Sequence, residues 1–197
     1  MIHAQAPTRL VAPSEPMVSL ASAKQHLRVD HEEDDALITS MIEAATDHLD
    51  GWSGILGRCL VSQTWRQSLA CRPAGRVLRL PFGAVSEAEI TYYDPDDAPQ
   101  TFAADGWELV EDARSSMIRL RDGASWPSLA KRADAMSVDM VAGYGAAEQV
   151  PHALRTAALL LVAHWYRNRE AVNVGNITSA LPLSVASLIA PYRRVGV

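Results

Sequence analysis

The chain has 197 residues, of which 48% are hydrophobic and 21% charged, and its formal net charge is −5. This length is enough for one domain with a buried core. The acidic balance argues against a general nucleic-acid-binding protein, because such proteins usually carry a basic excess. The two cysteines, Cys59 and Cys71, lack the spacing of a zinc or redox site, and we expect free thiols in a reducing compartment.

The charge is distributed unevenly along the chain. Residues 151–197 contain five arginines and one glutamate, a net charge of +4, whereas residues 1–150 contain 13 basic and 22 acidic residues, a net charge of −9. This asymmetry predicts two faces with different partners, or two halves of a self-association contact.

Two helices are predicted in the N-terminal region, 19–58, after a flexible Pro- and Ala-rich arm over 1–18. Ser19 is a suitable N-cap for a short helix over 20–27. The second helix is indicated by an apolar stripe at three-and-four spacing, formed by Leu37, Ile38, Met41, Ile42, Ala45, Leu49 and Trp52. Between Asp30 and Asp50 there are eight acidic residues and no Lys or Arg, so this helix is expected to have a negative outer face.

Residues 59–145 have the pattern of strands and turns. Short alternating segments such as "RVLRLP" and "AMSVDMVAGYG" are separated by turn signals such as "DPDDAP", with no long helical segment between them. This pattern predicts an antiparallel β region rather than βαβ units. In "AMSVDMVAGYG" we expect one buried face, formed by Met136, Val138, Met140 and Ala142. The sequence leaves the isomer of the Trp126–Pro127 bond open.

The last region, 146–197, is predicted to hold a long helix and a tail. Pro151 is well placed to open a helix that runs to about Asn168, with Leu161 and Trp165 packing inward. A short last helix over 183–189 is stopped by Pro191. The expected fold class is therefore α+β: a helical bundle formed by the N- and C-terminal helices, with the antiparallel β region inserted, and a single domain overall.

The sequence contains no motif that predicts catalysis, cofactor binding or metal binding. The strand–Gly-x-Gly–helix pattern at Gly143 and Gly145 places Glu148 where a dinucleotide fingerprint needs a small residue, and a carboxylate there would repel a pyrophosphate. "GWSG" is one residue short of a nucleophile elbow and ends a helix rather than a strand. His164 has no helical partner, and the apolar run before it is too short to span a membrane. We expect no enzyme, cofactor or metal. A small-ligand-binding enzyme, a DNA-binding regulator or another non-viral soluble oligomer remain the alternatives.

The order of the sequence blocks resembles one family over about residues 17–195. Its two strongest blocks are "HLRVDHEEDDALI" and "VPHALRTAALLLVAHWYRNRE", with "LVSQTWRQSL" and "LPLSVASLIAPYRR" in the expected places. The chain resembles the head–tail connector proteins, also called adaptor or head-completion proteins, of long-tailed phages, prophages and gene transfer agents.

This resemblance implies a structural protein without catalysis or cofactor. Such proteins form a ring of about a dozen copies beneath the portal, and a ring needs heterologous contacts that close by rotation. The implied partners are further copies of the chain, the portal protein and a downstream tail-completion or stopper protein. DNA would pass through the lumen without specific binding, and no membrane is involved. The implied location is the head–tail junction of a virion or phage-like particle, assembled in the bacterial cytoplasm.

Two sets of candidate contact residues follow. The expected ring or portal contacts are Arg167, Arg169, Glu170, Leu181, Leu183, Tyr192, Arg193 and Arg194. The expected lumen-facing acids, chosen because a wall that releases DNA should not bind phosphate, are Glu43, Asp47, Asp50, Asp94, Asp96 and Asp97. For the tail, the alternative is that Leu183, Leu188 and Ile189 fold back onto the core of the same subunit. For both acidic patches, the alternative is a solvated outer surface.

Overall fold

The computed structural model describes residues 5–112, 115–168 and 183–194, and its fold is mixed α+β, as predicted. The chain divides into two compact units. One, the β unit, comprises Met1–Ser14 and Ser62–Tyr144. The other, the helical unit, comprises Glu15–Val61 and Gly145–Val197. The helical unit is therefore assembled from two separate stretches of sequence.

Eight described strands build the β unit. They are β1 (Thr8–Val11), β2 (Gln63–Leu69), β3 (Val77–Arg79), β4 (Val85–Tyr93), β5 (Pro99–Thr101), β6 (Trp107–Glu111), β7 (Ser116–Leu120) and β8 (Met136–Ala142). A five-stranded sheet has the order β1-β2-β8-β4-β5, and a three-stranded sheet has the order β3-β7-β6. All pairings are antiparallel, as the sequence pattern predicts.

The central strand β8 is held by burial of one face. Met136, Val138, Met140 and Ala142 are all buried, while the residues between them are partly exposed. This alternation confirms the predicted buried face, since successive side chains of a strand point to opposite sides of its sheet. The Trp126–Pro127 bond is trans.

The N-terminal arm differs from the expectation of a flexible segment over 1–18. Residues Thr8–Val11 form strand β1, which pairs with β2. The pairing extends toward the N-terminus, because the Gln5 N–H donates to the Ser68 carbonyl at 3.1 Å. All four residues of β1 are exposed, so backbone hydrogen bonds rather than side-chain burial hold this strand. Because no side chain of β1 is buried, this segment has no alternation of apolar and polar residues from which the strand could be predicted.

Four described α-helices build the helical unit: α1 (Leu20–Leu27), α2 (Asp35–Leu49), α3 (His152–Arg167) and α4 (Leu183–Ile189). Helix α3 packs against α1, α2 and α4. Ser19 caps α1 as predicted, its hydroxyl accepting from the Ser22 N–H at 3.2 Å. Pro151 precedes the first helical residue of α3 by one position.

The predicted apolar stripe of α2 is buried through most of its length. Ile38, Ile42, Ala45 and Leu49 are at most 4% exposed. Trp52 does not continue the stripe and is 50% exposed, because α2 ends at Leu49. The chain then turns through Gly51, whose φ of 74° is accessible to glycine at little cost.

Candidate assembly surfaces

The end of α3 is where a buried helix meets solvent. Leu161 is buried as predicted, but Trp165 is only partly buried. The prediction that both side chains pack into the core is therefore correct for Leu161 alone. Tyr166 anchors this end, because its hydroxyl donates to the Asp34 carboxylate. Arg167 follows and is exposed. Its position allows contact with another molecule.

Several predicted contact residues lie outside the described residues. They are Arg169, Glu170 and Leu181.

The tail after α4 is fastened to the loop that follows α2. The Arg58 Nε donates to the Tyr192 carbonyl at 2.8 Å, and the Arg194 N–H donates to the Leu56 carbonyl at 3.0 Å. Tyr192 and Arg194 are partly buried, whereas Arg193 is exposed. This backbone is therefore held against its own subunit, and the Arg193 side chain remains accessible.

The apolar residues of α4 differ in how far they are buried. Val185 and Ile189 are at most 1% exposed, and Leu188 is partly buried. Leu183, at the start of the helix, is 90% exposed. The alternative of folding back onto the subunit holds for Ile189 and in part for Leu188. Leu183 is the apolar side chain of α4 with the largest exposed fraction.

Helix α2 carries two of the predicted lumen acids on its surface. Glu43 and Asp47 are one helical turn apart, and both are exposed. Asp50 was expected on the same face, but this expectation is wrong, because Asp50 is only 8% exposed. Its carboxylate accepts a hydrogen bond from the Leu60 N–H at 2.6 Å, which fixes the chain after the helix.

The acidic turn between β4 and β5, residues 94–97, is held together by hydrogen bonds to its own carboxylates. Asp94 accepts from the backbone N–H groups of Asp96 and Ala98 and from the Gln100 amide, each at 3.0 Å. These hydrogen bonds hold the pKa of Asp94 below its ordinary value, led by the bond from Ala98.

Arg132, in the loop between β7 and β8, also binds this turn. It contacts Asp97 at 2.8 Å and Asp134 at 2.7 Å, and it lies over the Tyr93 ring at 3.6 Å from the centroid. The hydrogen bonds to both carboxylates raise the pKa of the Arg132 guanidinium, that to Asp134 most, and the pKa of Asp134 is lowered in return. Of the three acids predicted here, Asp96 is exposed and has no such partner among the residues that the structure describes.

In the part of the chain that the structure describes, no group of three His, Cys, Asp or Glu side chains is placed to hold a metal ion. None of the described helices has the length and apolarity that a membrane-spanning helix needs.

Comparison with known proteins identifies the class. Residues 17–70 match the model of the family described as phage gp6-like head-tail connector proteins. A search of curated proteins finds no match. The solved neck of an empty gene transfer agent (GTA) particle, computed with C6 symmetry, contains a chain that is 26% identical. The match covers 98% of this chain and 97% of that chain, with a TM-score of 0.80. The virion of a native GTA particle gives the same values. The native GTA neck computed with C12 symmetry is 24% identical, with a TM-score of 0.73, and shows the same fold.

The match of residues 17–70 to the connector family model and the fold shared over almost the whole chain confirm the resemblance to head–tail connector proteins that the sequence predicts.

Proposed function

We propose that the protein is a connector subunit that forms a ring under the portal, extends the DNA channel and joins the capsid to the tail of a virion or phage-like particle. The observation that carries this proposal is the similarity of the whole fold to a chain in the neck of a GTA particle, at 26% identity and a TM-score of 0.80. The C6 and C12 symmetries of those necks support a closed ring of copies.

In this proposal the helical unit is a bundle that packs beside its neighbours. Helices from both ends of the chain meet around α3, so the unit needs residues that are far apart in sequence before it can form. The ends of α3 and of the tail then present Arg167 and Arg193 to the neighbouring copy or the portal. Leu183 supplies an apolar side chain that would lose its water contact in such an interface.

The exposed acids of α2 have a separate role in the proposal. Glu43 and Asp47 border the lumen, where negative charge keeps the wall from binding the DNA phosphates. Asp96 is the acid of the β4–β5 turn that can serve in the same way. A ring reconstruction with these three side chains on the outer wall would overturn this part of the proposal.

The proposal is tested by measuring assembly of the purified chain, alone and with the portal from the same particle. Size-exclusion chromatography with mass measurement should show a ring or a portal complex. Charge reversal of two predicted contact residues, Arg167→Glu with Arg169→Glu, should weaken that association, because basic contacts are replaced by repulsive ones.

A matched control separates the contact from net charge. Lys131→Glu also reverses one exposed basic side chain, so its net charge equals that of the single variant Arg167→Glu, and it should leave association unchanged. A chain that remains monomeric and does not bind the portal would overturn the proposed function. Unchanged assembly of the Arg167 and Arg169 variant would overturn only the contact assigned to the helix end.

A further inference from the structure

A groove lined by arginines lies at one end of the three-stranded sheet. Its two adjoining hollows, of about 400 and 450 Å³, share Arg76 and Leu120. We call this feature the arginine groove and define it by Arg72, Arg76, Arg119 and Arg121. These residues are distributed over 50 positions of the sequence, and the antiparallel pairing of β3 and β7 brings them together.

Hydrogen bonds from side chains to backbone carbonyls fix the shape of the groove. The Trp126 indole N–H donates to the Gly75 carbonyl at 2.7 Å, which fixes one wall. The Arg121 Nε donates to the Trp107 carbonyl at 3.1 Å, and the Arg76 guanidinium donates to a backbone carbonyl at 3.0 Å. These tethers restrict the Arg76 and Arg121 side chains, so less conformational entropy is lost when these two bind an anion.

The groove has a positive charge that its own acids do not balance. Glu108 and Asp122 also line it, against four arginines. Arg119 contacts Glu108 at 2.6 Å, and Arg76 contacts Asp122 at 3.1 Å, but both arginine side chains are about half exposed, so these pairs are solvated and contribute little. Among the described residues, Arg72 has no carboxylate partner. The groove is therefore suited to additional carboxylates.

A complementary set of carboxylates lies on the loop between α1 and α2. We call it the acidic loop and define it by Asp30, Glu32 and Glu33, all exposed. The end of the loop is anchored by two further acids, since Asp34 accepts from the Tyr166 hydroxyl and Asp35, the first residue of α2, pairs with Lys24 at 2.6 Å. Glu33 contacts His31, which is itself exposed. The anchors hold the loop while its three carboxylates face solvent.

We propose that the arginine groove of one copy binds the acidic loop of a second copy. Charge complementarity carries this assignment: three exposed carboxylates face a groove in which four arginines outnumber two acids, and arginine binds carboxylates in a bidentate geometry. The two surfaces differ, so the contact is heterologous and repeats from copy to copy, as closure of a ring requires. The assignment rests on the proposed ring function and specifies one of its contacts.

The first test is a charge exchange, read as the association constant between copies in sedimentation velocity. Arg72→Glu with Arg121→Glu should weaken association about tenfold or more, and so should Glu32→Lys with Glu33→Lys. A mixture of the two double variants should recover most of the association, because each supplies the surface that complements the other. Lys131→Glu has the same net charge as the single variant Arg72→Glu and is its control, and thermal unfolding verifies that each variant is folded.

The second test uses a native thiol beside the groove. Cys71 is exposed and precedes Arg72, whereas Cys59 is buried. In a Glu32→Cys variant, a short bis-maleimide should join Cys71 of one copy to residue 32 of the next, giving a ladder of covalent oligomers on a denaturing gel. The ladder should be absent when Cys71→Ser is added, and when the new thiol is placed instead by Glu148→Cys, another exposed acid.

The outcomes separate this contact from the proposed function. Rings that form without the ladder would overturn the contact and leave the connector function in place. A monomer that neither cross-links nor binds the portal would overturn both. Cross-linking within one chain only, or salt-dependent binding of duplex DNA that is lost with Arg72→Glu and Arg121→Glu, would assign the groove another occupant and overturn the inference.

Discussion

Two acidic regions that look alike in sequence are used differently in the fold. In the β4–β5 turn, Asp94 and Asp97 are engaged by backbone N–H groups and by Arg132, and they hold the turn together. On α2, Glu43 and Asp47 are exposed. A run of carboxylates therefore does not define a surface potential by itself, because the part that is hydrogen-bonded within the subunit is not available to a partner.

Asp50 is the strongest case of an acid used within the subunit. It lies one turn beyond Asp47 in sequence, yet it is buried and accepts from the Leu60 N–H at 2.6 Å. Some acids of this segment therefore stabilise the fold, whereas others are exposed and can repel or attract another molecule. Substituting an acid of each kind tests this difference.

The largest effect is expected for Asp50→Ala. The substitution leaves the Leu60 N–H without its charged acceptor, and a buried bond of this type contributes about 1.5–3 kcal/mol. We expect the free energy of unfolding, measured in urea, to fall by about that amount. Asp50→Asn should lose less, because it keeps an oxygen acceptor. Equal stability of Asp50→Ala and the unsubstituted protein would show that the bond does not hold the end of α2.

A pH-dependent effect is expected for Asp94→Ala. Because the pKa of Asp94 in the folded protein lies below its ordinary value of 3.8, its contribution to stability is present above that pH and is lost as the pH falls through the lower folded-state pKa. The variant should therefore be less stable at neutral pH, and the difference should shrink in acid. Thermal unfolding between neutral pH and pH 3 measures it. Asp96→Ala, in the same turn, is the control, and a difference that does not depend on pH would contradict this role.

The smallest effect on stability is expected for Glu43→Gln with Asp47→Asn. Both side chains are exposed, and like charges one turn apart repel each other. The free energy of unfolding should stay within about 0.5 kcal/mol of the original or rise slightly. Urea unfolding measures this. A loss comparable to that of Asp50→Ala would place these acids inside the subunit's own hydrogen-bond network and remove the basis for assigning them to the lumen.

Much of the fold could be predicted because burial leaves a periodic signal. The three-and-four spacing of Ile38, Ile42 and Ala45 and the alternation along β8 both reflect side chains that the structure buries. Local capping chemistry also appears in the sequence, as Ser19 shows. Strand β1 was missed because its four residues are exposed and its hydrogen bonds leave no side-chain pattern.

The candidate contact surfaces were less predictable. Exposure of Arg167 follows from the end of an amphipathic helix, but the burial of Ile189 and the 90% exposure of Leu183 depend on how α4 packs on α3. The arginine groove has no local motif, because strand pairing assembles it from separate segments.

The sequence by itself determined the α+β class, the location of the main helices and strands, and the resemblance to connector proteins, since periodicity and block order persist along the chain. The tertiary structure decided which charges are available. Whether a carboxylate is hydrogen-bonded within the subunit or exposed depends on the N–H groups, hydroxyls and guanidinium groups that folding brings to it. In one acidic segment, Asp50 is hydrogen-bonded to the Leu60 N–H, whereas Glu43 is exposed.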